Sequence, residues 1–174
     1  MLLPDSKIRA LCQEKALIQP FDPERLNPAS YDVALGSNIM IEVAETPELI
    51  RHSIQTHSKE DPYWLKPGEF ILAETQETFN FPDDVAGQFA LKSSRARQGY
   101  QHLLAGWIDP GFHGVLTLEI KNIRQKHRLP IWPEMLIGQI IVFMMSKPAE
   151  ESYSIKGHYN GHKTVMPSWE TFKG

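Results

Sequence analysis

The sequence predicts a mainly β domain, an antiparallel sandwich or barrel with one or two short helices. Three observations carry that expectation. Short runs with strand character follow one another from Tyr31 to Met145. Turn-forming clusters such as "KPGE", "FPDD" and "DPGFHG" punctuate them. Only the N-terminal stretch has clear helical spacing, and many short strands at this interval suggest an antiparallel sandwich or barrel.

Taken in order, "LPDSKIRALCQEKALIQPF" reads as a short helix, with Ile8, Leu11 and Cys12 at i, i+3 and i+4. Asp5 or Ser6 is placed to cap it, and Pro20 lies beyond its end. "YDVALG", "NIMIEVA", "EFILAETQETF", "VAGQFAL", "GVLTLEIKN" and "IGQIIVFMM" follow as strands. Residues 44–62 are polar and irregular and read as a surface excursion. The chain divides into a β domain, residues 1–152, and a C-terminal tail, residues 153–174, which has little core-forming pattern.

Composition narrows the function. The 174 residues suffice for one domain with a sizeable core. A formal net charge of -3 offers no general attraction to nucleic acid, so any anion site must be local. One cysteine, Cys12, excludes an intramolecular disulfide framework and a Cys-rich zinc site. No apolar run reaches the ~20 residues of a membrane helix, and the N-terminus lacks a signal-peptide pattern. The expected setting is cytoplasmic.

One segment departs from the acidic background. "KSSRAR" gathers Lys92, Ser93, Ser94, Arg95 and Arg97 between a strand and Gly99. It reads as a strand-to-helix turn whose first hydroxyl caps the helix. Its cations are either solvated or aimed, with backbone N–H groups, at an anion. Further on, "AGWIDPGFHGVLTLEIKN" holds two carboxylates. Asp109 sits in a turn signature and serves as a cap or a ligand. Strand alternation puts Val115, Thr117 and Glu119 on one face and Leu116, Leu118 and Ile120 on the other. Glu119 is then a solvent-face carboxylate or, if that face lines a cleft, a proton shuttle.

The order and spacing of "LPDSKI", "NPASYDVALG", "LKPGEFILAET", "FPDDVAGQFALKSSRARQG", "LLAGWIDPGFHGVLTLEIKN", "EMLIGQIIVF" and "GHYNGH" resemble the dCTP deaminase branch of the trimeric dCTP deaminase/dUTPase family. The resemblance implies a dUTPase-like distorted β-barrel or jelly-roll sandwich. It also implies a homotrimer with shared sites, and dCTP as substrate, with dUTP as a further candidate. By that resemblance Lys92 and Ser94 contact the triphosphate, while Ser93 and Arg97 face the base and its attacking water. The carbonyl of Ala105 holds the water, Asp109 takes the 3′-hydroxyl, and Glu119 is general base and then acid. Tyr153, His158, Tyr159 and His162 close over the phosphates. Magnesium is expected on the triphosphate. Zinc is not expected, because the H-x-E…P-C-x-x-C spacing of zinc deaminases is absent.

Other residues take plainer readings. Arg95 is a surface cation, Trp107 and Phe112 pack the turn, and Gln139 is a strand residue. His102 supports the loop before Ala105, and Tyr31 and Asp32 secure the first strand. Leu104 stands where the family often has Thr, and His158, His162 and Thr164 stand where Lys, Gln and Gly are usual. Replacing a permanent cation by His makes phosphate capture depend on pH. The expected activity is deamination of dCTP to dUTP. Its rivals are dUTP hydrolysis to dUMP, alone or following deamination in one site, and a silent nucleotide-binding trimer.

Overall fold

Ile8 and Cys12, one turn apart, form the buried face of the N-terminal helix α1 (Asp5–Lys15). Its N-cap is Pro4, without a side-chain cap bond, rather than Asp5 or Ser6; the Asp5 carboxylate instead accepts from the Ser6 N–H. The structure, a computed structural model, describes residues 1–170.

After α1 come β1 (Ile18–Gln19), a 3₁₀ turn (Pro23–Arg25), β2 (Leu26–Asn27), β3 (Ser30–Val43), β4 (Thr46–Ser53), β5 (Tyr63–Leu65), β6 (Phe70–Asn80) and β7 (Val85–Leu91). The second half holds α2 (Ser93–Gln98), β8 (Tyr100–His102), β9 (Trp107–Ile108), β10 (His113–Asn122), β11 (Leu129–Ile131), β12 (Leu136–Met144) and α3 (Tyr153–Lys156). Ten strands join in the order β8-β10-β6-β3-β12-β7-β9, with β1 added to β6 and with β2 and β4 added to β3; β11 and β5 pair separately. Every pairing is antiparallel. The mainly β class holds, with three short α-helices among the described residues where one or two were expected.

The strand β3 joins the two layers of the sheet. Its first part, Tyr31 to Ala34, pairs with β12, and its later part, Leu35 to Ile41, pairs with β6. A register shift separates Leu35 from Ile39. One strand thus serves both layers, a usual way to turn a sandwich corner. The sequence reads this stretch as two runs, "YDVALG" and "NIMIEVA"; they are one strand bent at the join. Gly36 stands there because a Cβ would lie 2.5 Å from Cγ of Glu74. Val33, Leu35, Ile39, Ile71, Leu118, Ile120, Ile140 and Val142 fill the core between the layers.

Two expectations change here. Part of the excursion at 44–62 is a regular strand, because β4 hydrogen-bonds along β3 from Asn38↔Ser53 to Val43↔Thr46. Its surface is exposed on one side, which is why it reads as polar. The tail also contributes core: Val165 is fully buried with Met40 and Leu72. No helix among the described residues is long and apolar enough to cross a membrane.

Candidate active site

The alternation in "VLTLEIKN" has the predicted result except at Leu116. Leu118 and Ile120 are buried at 1% and 0% exposure, and Glu119 is half-buried on the opposite side. That side lines a cavity of about 850 Å³. A register shift against β6 between Val115 and Thr117 turns Leu116 toward the cavity as well. Six of the predicted site residues meet here: Ala105, Asp109, Glu119, Tyr153, Tyr159 and His162.

Asp109 is no side-chain turn cap. Its backbone carbonyl closes the turn by accepting from the Phe112 N–H at 3.2 Å, while its carboxylate accepts from the Trp107 indole at 3.0 Å. Phe112 is buried and packs under the turn as expected. Trp107 does not: it is 59% exposed and stands at the cavity wall. Burial pushes the Tyr153 phenol up, ahead of the opposing hydrogen bond from the Tyr159 N–H.

The tail reaches the cavity by pairing with the start of β10. The Val115 N–H donates to the His162 carbonyl at 3.0 Å, and the Gly161 N–H donates to the His113 carbonyl at 2.8 Å. Gly114 allows this approach, with φ of 126° and no room for a Cβ, which would stand 2.7 Å from the His162 carbonyl oxygen. His162 lines the cavity. His158 does not, and its ring stacks on Trp169 at 4.0 Å.

The "KSSRAR" residues stand apart from this cavity; Lys92, Ser93, Ser94 and Arg97 are absent from its lining. The helix is present as predicted, but its N-cap is Lys92 and no hydroxyl caps it. Ser93, Ser94 and Arg97 are exposed, and their side chains have no hydrogen-bond partner among the described residues. Lys92 pairs with the Asp32 carboxylate, which also accepts from Asn27 at 2.9 Å. Asp32 therefore reaches beyond the first strand to a candidate ligand residue. Tyr31 is buried against Phe21, and Gln139 is satisfied by the Ser30 hydroxyl. Arg95 is a correction. It donates to the Leu136 carbonyl at 2.8 Å and lies over Trp132, so it clamps α2 to the body rather than roaming the surface.

Cavity electrostatics set a requirement. Among the described residues, Glu48, Asp109, Glu119 and Glu170 line the cavity, against His162 as its one basic side chain. Four carboxylates repel a polyphosphate unless cations are brought to them. Arg97, whose side chain has no partner among the described residues, belongs to α2, outside the lining. Sequence reasoning missed the wall from β4, where Pro47, Glu48 and Leu49 line the cavity. Pro47 masks the strand signal there.

A family profile described as dCTP deaminase-like matches residues 2–145. The "dCTP deaminase, dUMP-forming" of Acidothermus cellulolyticus is 41% identical over 191 residues, covering 99% of this chain and 97% of that protein. Its namesake from Corynebacterium efficiens is 40% identical over 183 residues, covering 97% of this chain and 93% of that one. In fold, the chain is similar to the crystal structure of 2′-deoxycytidine 5′-triphosphate deaminase from Agrobacterium tumefaciens. The TM-score is 0.66 at 20% identity, over 82% of this chain and 48% of that one. With its Glu119 cavity, its strand order and a profile match from residue 2 to residue 145, the chain belongs to the dCTP deaminase-like family.

Proposed function

We propose that the protein deaminates dCTP at C4 of the cytosine ring and hydrolyses the resulting dUTP, in the same site, to dUMP and pyrophosphate. The balance is one dCTP and two waters to one dUMP, one pyrophosphate and one ammonia. The observation that carries the first step is Glu119, half-buried on a cavity wall with Ala105 and Asp109. A partly desolvated carboxylate can take a proton from water and return it to the ring and the leaving ammonia. Ser93 and Arg97 supply the donors that meet charge as it develops. The second step is supported by relatives at about 40% identity that carry the description dUMP-forming. Between the two products weighed from sequence, dUTP and dUMP, this favours dUMP.

The separation of α2 from the acidic cavity supports a shared site. Lys92, Ser94 and Arg97 of one copy would meet the triphosphate lying against Asp109, Glu119, Tyr159 and His162 of another, in a closed threefold ring. No three His, Cys, Asp or Glu side chains among the described residues converge as a metal cage. Magnesium would therefore arrive on the triphosphate and be held through phosphate oxygens. A cytoplasmic location fits such a substrate.

Incubation with dCTP, dUTP and dCMP, resolving ammonia, dUTP, dUMP and pyrophosphate, tests this. Ammonia, dUMP and pyrophosphate should rise together from dCTP. Accumulation of dUTP in step with ammonia would reduce the activity to deamination alone, and absence of ammonia would remove it. Glu119→Gln keeps the shape but removes the base, so it should abolish ammonia release with KM for dCTP little changed.

A further inference from the structure

Among the described residues only two buried side-chain polar atoms lack a hydrogen bond, Nε2 of His102 and Oε2 of Glu119. They face each other at 3.3 Å, not yet aligned as a bond. Buried polar atoms are seldom left unpaired, and each such atom asks for a reason. Two orphans within hydrogen-bonding distance of each other, one of them the carboxylate assigned to catalysis, share a reason.

We propose that His102 is a positioning residue for Glu119: its Nε2–H donates to the carboxylate and sets the rotamer in which Glu119 meets water and base. The proposal rests on the role given to Glu119 above. The ring is well placed to hold such a direction. Its side chain is only 5% exposed and lies against Phe89 at 4.6 Å between ring centres. His102 is the last residue of β8, opposite Ile120, and the Leu103 N–H donates to the Glu119 carbonyl. Ring and carboxylate are thus tied to adjacent backbones. The ring also borders a niche of about 20 Å³ with Ala105 and Thr117, room for one water beside the loop that carries Ala105.

The surrounding charges leave this pairing distinct. Glu119 is the only acid within 4 Å of the ring among the described residues. On β10, Lys121 stands across from Gln101, one residue earlier on β8. On α2, Arg95 is committed to the Leu136 carbonyl, and on β7 the neighbour is Phe89. A packing histidine would serve as well in the form of another flat ring; a donor to Glu119 would not.

That difference is the test. His102→Phe keeps the flat ring against Phe89 and removes the donor, whereas His102→Gln keeps a donor. His102→Phe should lower kcat for ammonia release by about tenfold or more with KM for dCTP within about threefold, the pattern of an interaction used in the transition state. It should also move the acidic limb of the kcat–pH profile to higher pH, because a carboxylate that loses a donor ionises less readily. His102→Gln should recover much of both. Equal losses in the two variants with an unmoved pH profile would make His102 a packing residue, as would near-normal kcat in His102→Phe. A second readout needs no turnover. In nitrogen NMR spectra of the ligand-free protein, the His102 Nε2 resonance should be that of a protonated nitrogen and should shift in Glu119→Gln. An unprotonated, unmoved Nε2 would overturn the pairing. Failure of the wild type to release ammonia would count against the proposed activity and leave this contact to be judged by the spectra.

Discussion

Cys12 sits on the buried face of α1 at 7% exposure, and burial pushes its thiol up to about 11, outweighing the hydrogen bond at Ile18. Tyr100, buried beside β11, is likewise pushed up to about 12 by burial, with Arg95 opposing. Both groups are neutral in the fold over a range where the unfolded chain ionises. Their contribution to stability is therefore whole below the ordinary values of 9.0 and 10.0 and is lost as pH rises toward about 11 and 12. Urea midpoints should hold to about pH 9 and then fall. Cys12→Ala should remove part of that fall. A thiol reagent at pH 8 should label Cys12 only at the rate of unfolding, and fast labelling of the native protein would contradict this burial.

The element whose behaviour changes most is the tail. It is held just past His162, at Thr164 and Val165. Glu74, at 7% exposure on β6, accepts from the Asn38 backbone and side chain on one oxygen, and from Thr164 Oγ1 at 2.7 Å and the Val165 N–H at 3.0 Å on the other. Hydrogen bonds to an ionised acceptor contribute roughly 1.5–3 kcal/mol each, and burial of a Val side chain adds about 1.5–3 kcal/mol. With this seat and the pairing of Gly161 and His162 with β10, the segment from Gly157 to Lys163 is tied to the body rather than a free strap. Of the two histidines expected at the phosphates, His162 lines the cavity and His158 lies on Trp169. Val165→Asp should unseat the tail. Tryptic cleavage after Lys163 should quicken about tenfold or more, KM for dCTP should rise, and the circular dichroism of the sheet should be unchanged. Unaltered cleavage would mean that the seat does not hold the tail.

At the scale of the whole molecule, apolar surface and charge both bear on the proposed trimer. Leu104 is 94% exposed with φ of 65°, and Leu103 and Trp107 are 45% and 59% exposed beside it. A cluster of large apolar side chains bare to solvent next to a candidate catalytic carbonyl is the kind of surface a partner covers. The acidic cavity, and Arg97 with no partner among the described residues, make the same demand electrostatically. The proposed trimer should sediment as one species at micromolar concentration. Mixing inactive Arg97→Ala with inactive Glu119→Gln after reversible dissociation should restore part of the activity, because some sites then draw both intact side chains from different subunits. No recovery from a mixed assembly, or full activity in a monomer, would place both residues of a working site in one chain.

Much of this was legible from residue order alone. Local rules act within a few positions, so the strand runs, the helix at α1, the turn at "DPGF" and the two faces of β10 could be read without a fold. Motif spacing carried the family in the same way. Tertiary structure decided what depends on contacts between distant residues. β4 is a strand because β3 offers it hydrogen bonds, and Val165 is core because Met40 and Leu72 leave it a place. Arg95 is a clamp because the Leu136 carbonyl lies within its reach. His102 became a candidate partner of Glu119 only when pairing of β8 with β10 brought two buried polar atoms to 3.3 Å. Seventeen positions along the chain carry no information about that distance; burial of both atoms away from other partners does.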